Sequence, residues 1–114
     1  MSLKKFGIAL AVISLLLPGA ALASRNSKLS DNGVYLPKGI KLQGKVKIVE
    51  RNADIKIKVV SNFPDIKVKS VSNFPDQVGK WQFVDNFPDF TVQYVENFED
   101  IKVQFVDNFP GVVK

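Results

Sequence analysis

One pentapeptide occurs five times in the second half of the chain, and every copy contains Asn-Phe. The copies are SNFPD at 61–65 and 72–76, DNFPD at 85–89, ENFED at 96–100 and DNFPG at 107–111. Their asparagines are 11, 13, 11 and 11 residues apart. A weaker sixth copy precedes them, because KVKIVERNADI at 45–55 matches KIKVVSNFPDI at 56–66 position by position. A fold built from equal units is therefore the strongest constraint on this chain.

Within each unit, apolar and polar residues alternate, as in IKIKV at 55–59 and FTVQY at 90–94. Period two places the β-branched and aromatic residues on one face of a strand and Lys, Gln and Thr on the other. No segment has a sustained 3.6-residue period. The pattern predicts one all-β domain over residues 34–114 without a helix, in which Trp81 is a core residue.

The recurring pentapeptide predicts the corner between consecutive strands. Proline lacks an N–H for a strand ladder and drives the residue before it out of the right-handed helical region, while Asn and Asp bond their own backbone in turns. Two extra residues near Gln77, Val78 and Gly79 predict a longer loop between two groups of three repeats. We expect the rings of the recurring phenylalanines to cover the ends of the core: Phe63, Phe74, Phe87, Phe98 and Phe109.

The first 23 residues have the order of an export signal. Lys4 and Lys5 are followed by an apolar run at 6–17 and by Ala-Leu-Ala at 21–23. The run is too short for a membrane-spanning helix, so we expect cleavage after Ala23 and a periplasmic or secreted product without a membrane span. Residues 24–33 are polar and predict a flexible tail. The short lead-in at 33–44 predicts a strand with a Pro-Lys-Gly turn.

Charge is divided unevenly along the chain. Residues 24–80 contain twelve Lys or Arg and five acids, whereas residues 81–114 contain two Lys and six acids. Opposite signs in two halves indicate either a basic binding surface with an acidic tail or two halves that lie side by side.

The amino-acid sequence of the repeats resembles that of a known family. LQGKVKIVE at 42–50, DIKIKVVSNFPDIKVKSVSNFPD at 54–76, QVGKWQFVDNFPDF at 77–90 and DIKVQFVDNFPG at 100–111 are similar to the 7(1) septoil knot domain. The resemblance covers about residues 36–114. Ala53 and Glu99 replace the corner proline in two copies, and Gly111 replaces the corner aspartate in one.

The resemblance implies a small β toroid whose backbone forms a seven-crossing knot, and it implies no biochemical activity. Units that each turn the chain by the same angle wind it around one axis, so a second lap can pass between the strands of the first. The basic units at 45–69 would then lie beside the acidic units at 85–107. An unknotted β-solenoid, in which each repeat contacts only its neighbours, is the alternative fold.

The chain contains no His and no Cys, which removes the usual general base, the thiolate nucleophile and the common transition-metal ligands. Paired carboxylates, Asp85 with Asp89 or Glu96 with Asp100, permit hydrolysis only formally, because they belong to the recurring corner. The same corners lack the spacing of known calcium repeats. We therefore predict no enzyme activity, no cofactor and no catalytic or metal-binding residues.

Two functional hypotheses follow. The first is an exported structural or interaction module of the cell envelope, which we expect to be a monomer. Its partner and its binding residues are left unknown by the sequence. The second is a polyanion-binding module that uses the Lys rows of the first three units, Lys45, Lys47, Lys56, Lys58, Lys67 and Lys69. Nucleic acid is disfavoured because the aromatic residues alternate onto the other strand face.

Overall fold

The computed structural model describes residues 26–114, so the predicted signal at 1–23 lies outside the described residues. This part of the chain contains strands and turns and no helix. The strands are β1 Val34–Tyr35, β2 Ile40–Lys41, β3 Gly44–Ile48, β4 Ile55–Val59, β5 Ile66–Ser70, β6 Lys80–Phe83, β7 Phe90–Tyr94, β8 Ile101–Phe105 and β9 Gly111–Val112. The all-β prediction is confirmed, and the six strands β3 to β8 coincide with the six repeats.

Six parallel strands close into a barrel. Around the ring the order is β3, β7, β4, β8, β5 and β6, and β6 pairs again with β3. The register advances by two residues at each step, as shown by Val46 opposite Phe90 and Val92 opposite Ile55. This constant shear gives strongly tilted strands, since tilt and shear are linked in closed barrels.

The alternating pattern fills the interior of the barrel. The first and third residues of most strands point inward and have almost no solvent exposure, and Trp81 is fully buried as expected. The indole N–H of Trp81 donates to the Leu42 carbonyl at 3.1 Å, and the ring meets Phe90 edge to face at 5.5 Å between centroids. The core residues are Leu29, Tyr35, Leu42, Val46, Ile55, Ile57, Ile66, Val68, Trp81, Phe90, Val92, Ile101 and Val103.

The two laps of the chain interleave. Strands β3, β4 and β5 form the first lap, and each second-lap strand, β6, β7 or β8, lies between two of them. Because strands distant in sequence pair directly, the β-solenoid alternative is wrong. The prediction that basic and acidic units lie side by side is confirmed, although the ion pairs given for the described residues join other partners: Lys28 with Asp100, Lys38 with Asp54 and Lys80 with Asp76.

The corners cross other strands on the outside of the barrel. Both β3 and β4 pair with β7, for example, so the connection at 49–54 passes from one side of β7 to the other. It passes over the outer face because the interior is filled with side chains. The connections at 60–65, 84–89, 95–100 and 106–110 cross β8, β3, β4 and β5 in the same way.

The longer loop at 71–79 is the exception to this crossing pattern. It joins β5 to β6, which are direct neighbours in the ring. The sequence prediction of a longer loop between two groups of three repeats is therefore confirmed. This single step displaces the second lap by one strand position, so that its strands enter the gaps of the first lap.

The prediction that the corner phenylalanines cover the ends of the core was wrong. Their side chains are 79–92% exposed: Phe63, Phe74, Phe87, Phe98 and Phe109. All five have a left-handed backbone with φ between 54° and 62°, on corners that arch outside the barrel. Such a corner directs its side chain into solvent, so the recurring ring is not part of the core.

Residues before the repeats cover one mouth of the barrel. The segment from Asn26 onward was expected to be a flexible tail, but Leu29 is only 6% exposed and the Leu36 N–H donates to the Lys28 carbonyl at 2.8 Å. The prediction for 24–33 is therefore wrong for the described residues 26–33. The short strands β1 and β2 form a hairpin that brings Tyr35 into the same cluster. Apolar residues of the N-terminal segment, Leu29 and Tyr35, thus cover an end of the core that the corner rings were expected to cover.

Gly79 permits the close passage between the two laps. It has φ +93°, and a Cβ there would lie 2.6 Å from the Gly111 nitrogen and 2.8 Å from the Lys67 carbonyl oxygen. We predict that Gly79→Ala lowers the free energy of unfolding by about 2 kcal/mol or more, because backbone atoms must shift.

Gly39→Ala is the matched control for this prediction. Gly39 has φ +66°, but nothing lies within 4 Å of its hypothetical Cβ. We expect a loss of about 1–2 kcal/mol, the cost of the left-handed backbone alone, and therefore a smaller loss than at Gly79. Denaturant unfolding measures both variants, and equal losses would contradict a steric requirement at Gly79.

Candidate interaction surface

The outer faces of the six strands form a belt of lysines. The second and fourth residues of the repeat strands point outward because the barrel interior takes the first and third; in β6, which begins one position later in its repeat, the outward residues are the first and third. These outward positions carry eight Lys, three Gln and one Thr, and no acid: Lys45, Lys47, Lys56, Lys58, Lys67, Lys69, Lys80, Gln82, Thr91, Gln93, Lys102 and Gln104. The Lys rows predicted from the sequence are thus on the surface, together with Lys80 and Lys102.

Two of the carboxylates considered for catalysis, Asp89 and Asp100, have a structural role. Each immediately precedes a strand. The Lys45 N–H donates to Asp89 Oδ2 at 2.8 Å, and the Asp89 N–H donates to the Lys45 carbonyl at 2.7 Å. Asp100 makes the same pair of bonds with the backbone of Lys56, both at 2.8 Å. Each aspartate joins the corner of one lap to a strand of the other.

Two first-lap aspartates repeat this arrangement. Asp65 accepts from the Lys102 N–H at 2.8 Å and donates its own N–H to the Lys102 carbonyl at 2.8 Å. Asp54 accepts from the Thr91 N–H at 3.0 Å, while its own N–H donates to Thr91 Oγ1 at 2.9 Å. The predicted pairs Asp85–Asp89 and Glu96–Asp100 therefore each contain one carboxylate that is already bonded to backbone. In the described residues no group of three or more potential metal ligands occurs.

Asp100 also anchors the N-terminal segment. Lys28 Nζ lies 3.1 Å from Asp100 Oδ1, and the Asn26 amide donates to the Asp100 carbonyl at 2.8 Å and to Asp65 Oδ2 at 3.0 Å. Burial alone raises the pKa of Asp100. The Lys56 N–H, the Lys28 ammonium and the Tyr35 hydroxyl outweigh burial and lower that pKa below its usual value. Burial, followed by the charge of Asp100, raises the pKa of Tyr35.

The corner phenylalanines are the surface feature that the sequence reasoning missed. Five aromatic rings lie in solvent on the same outer surface as the lysines, so the premise that aromatic side chains avoid the exposed face is wrong. The signal was present in the sequence, because Asn52 occupies the equivalent position in the first repeat. A position that accepts Asn is not a core position.

Asn52 also shows that the corner does not require an aromatic residue. Its φ of 58° is the same as that of the phenylalanines. Asn enters the left-handed region more readily than bulky residues, for which this conformation costs roughly 1–2 kcal/mol. The five corner rings thus carry a local cost and contribute little burial. Residues of this kind indicate a function at the surface.

A second apolar feature is the mouth at the carboxyl ends of the strands. The last strand residues there are 38–50% exposed: Ile48, Val59, Tyr94 and Phe105. Phe83 and Phe105 contact each other across this rim with ring centroids 6.2 Å apart. A pocket of about 110 Å³ lies elsewhere, beside Phe63, and is lined by Leu29, Pro64 and Val112 among others. Within residues 26–114, no helix is long and apolar enough to cross a membrane.

The network around Asp100 predicts a pH dependence of stability. Because its pKa is lower in the folded protein than in the unfolded chain, Asp100 stabilises the fold above the usual carboxyl pKa of about 4, and this stabilisation is lost as the pH falls through and below that value. We expect Asp100→Asn to reduce the acid-dependent fall in the denaturant midpoint. Glu96→Gln, on an exposed corner, is the control and should leave the fall unchanged. An identical pH profile for Asp100→Asn and the unmodified protein would contradict the assignment.

The exposure of the corner rings predicts an unusual result for a Phe substitution. We expect Phe87→Asn to leave the free energy of unfolding unchanged or to raise it by up to about 1 kcal/mol, because Asn relieves the backbone cost and little burial is lost. Phe90→Ala, in the core three residues later, should lower it by about 3–5 kcal/mol. Thermal and denaturant unfolding measure both. A loss for Phe87→Asn comparable to that for Phe90→Ala would show that the ring is structural.

Comparison with known proteins agrees with this architecture. A model of the 7(1) septoil knot domain matches residues 39–113, which include all six repeats and both laps. No curated protein matches the chain. The match covers more than half of the sequence, and the interleaved two-lap barrel is the arrangement that the resemblance in the repeats implied. The chain belongs to the septoil knot domain family.

Proposed function

We propose that this protein is an exported interaction module of the cell envelope that docks through its corner phenylalanines. One observation carries the proposal: five aromatic rings are 79–92% exposed at a backbone position where Asn52 serves the same corner. Aromatic side chains are enriched where proteins bind partners, because they bury a large area with few rotatable bonds. The closed barrel is a suitable support because backbone hydrogen bonds attach its corners to its strands, as for Asp65 with Lys102 and Asp89 with Lys45.

The module is proposed to act without catalysis. The chain has neither His nor Cys, and four corner aspartates, Asp54, Asp65, Asp89 and Asp100, accept hydrogen bonds from the backbone of the other lap. A carboxylate that holds two strands together is poorly suited to proton transfer. We propose a periplasmic or secreted location on the basis of the export-signal pattern at 1–23.

The belt of lysines favours a second candidate, a polyanion-binding module. Eight of the twelve outward strand positions are Lys, and a dense basic surface attracts acidic polymers. The corners weaken this candidate, because acids on the second-lap corners lie over the lysine-bearing strands of the first lap: Asp85, Glu96, Glu99 and Asp107. The corner rings therefore support the proposal more directly than the belt does.

One comparison separates the two candidates. We expect cross-linking in intact cells to attach the unmodified protein to an envelope component, and Phe63→Asn/Phe74→Asn/Phe87→Asn/Phe98→Asn/Phe109→Asn to lose that product while remaining exported and folded. A protein that never leaves the cytoplasm, or a product that the substituted protein retains, would contradict the proposal. On a heparin column, flow-through at low salt excludes the polyanion candidate. The polyanion candidate would be favoured if the protein is retained on the column, Lys56→Gln/Lys58→Gln weakens this retention and the Phe substitutions leave it unchanged.

A further inference from the structure

We infer that one side of the barrel, centred on β5, docks on an anionic lipid surface. The inference rests on the proposed function and names the partner. Each corner ring lies over the strand that its connection crosses: Phe63 over β8, Phe87 over β3, Phe98 over β4 and Phe109 over β5. Phe74 lies on the loop between the neighbouring strands β5 and β6.

The order of strands brings three of these rings to one side. Around the ring, β8 and β6 flank β5. Phe63, Phe109 and Phe74 therefore occupy three consecutive positions, which we call the β5 face. Directly opposite, three strands away in either direction, is β7, and the corner that crosses β7 carries Asn52 in place of Phe. The β5 face thus carries a ring at its centre and one on either side, whereas the β7 face carries rings only on its two sides, Phe87 and Phe98.

The two faces also differ in charge, and this difference favours the β5 face as well. The strands and corners of the β5 face carry four lysines, Lys67, Lys69, Lys80 and Lys102, and three acids, Asp65, Asp76 and Asp107. Those of the β7 face carry five basic residues, Lys45, Lys47, Arg51, Lys56 and Lys58, and seven acids, Glu50, Asp54, Asp85, Asp89, Glu96, Glu99 and Asp100. The β5 face is thus net positive. On the β7 face, Asp54 and Asp100 are paired with Lys38 and Lys28 of the N-terminal segment, so its charges balance. Anionic headgroups are therefore attracted more strongly to the β5 face.

The spacing of the rings fits lipid better than a second copy of this chain. A protein interface needs a contiguous apolar centre, and the ring contacts given for the described residues involve no corner phenylalanine. Separate rings with lysines between them suit a bilayer interface, where each ring enters the headgroup region and each ammonium meets a phosphate. Lys67 and Lys69 lie between the flanking rings on β5, and Val113, at the edge of the pocket beside Phe63, adds a further partly exposed apolar side chain.

Vesicle binding tests the inference. The protein is expressed from the full chain and purified in whatever processed form the cell yields. It is then sedimented with vesicles that contain phosphatidylglycerol and phosphatidylcholine and, in a separate experiment, with vesicles of phosphatidylcholine alone. We expect partition into the anionic vesicles only, reduced at high salt because screening weakens the lysine contribution. Phe63→Asn/Phe74→Asn should weaken partition by about tenfold or more, because two of the three inserting rings are lost.

The matched control is the other pair of corners. Phe87→Asn/Phe98→Asn removes the same number of rings by the same substitution, and we expect less than about a threefold change. Asn52→Phe, which adds a ring at the centre of the β7 face, should also leave partition nearly unchanged. The unfolding midpoint of each variant checks that the barrel is intact.

Three outcomes would overturn the inference. Equal losses of vesicle binding for Phe63→Asn/Phe74→Asn and Phe87→Asn/Phe98→Asn would show that the β5 face has no special role. A concentration-dependent dimer without lipid, abolished by Phe63→Asn/Phe74→Asn, would make a second copy the occupant. Absence of binding to either vesicle would exclude lipid, and the cross-linking comparison would then still decide separately whether the corner rings bind another envelope component.

Discussion

The register advance of two residues between neighbouring strands is the constraint on which the rest of this structure depends. Because of it, the last residue of one strand lies level with the first residue of the strand two places further around the ring, as for Ile48 and Ile55 on either side of Val92. A corner of six residues is therefore long enough to connect these two strands. Each corner must cross the strand between them on the outside, since the interior is filled by side chains.

The same constraint explains why one unit has to differ. Three connections that each advance by two places in a ring of six would return the chain to its own first strand. The loop at 71–79 advances by one place, so the second lap enters the gaps of the first. Gly79 lies where this loop passes Lys67 and Gly111, and the aspartates at the other corners hold the laps together through backbone bonds. Interleaving of the laps and crossing of the corners thus follow from five connections that cross a strand and one that joins direct neighbours.

Local pattern was sufficient to predict the strands, the repeat boundaries and the longer loop. Alternation in IKIKV and FTVQY indicates which face is buried, and the 13-residue spacing indicates where the longer loop lies. The interleaving of the two laps came only from the resemblance, because pairing between Lys56 and Gln93 depends on geometry that neither segment contains by itself. The packing of Leu29 was missed because a single apolar residue in a polar segment gives no periodic signal.

The error about the corner phenylalanines arose from treating hydrophobicity as burial. A side chain follows the direction of its Cα–Cβ bond, and a left-handed residue on an outward arch points away from the core whatever its polarity. Asn52 shows that the barrel does not depend on the ring, because the same corner forms without it. The fold therefore places no demand on Phe63 or Phe109. The proposed partner accounts for their exposure, and the unequal distribution of rings and charges around the barrel favours the β5 face as its binding site.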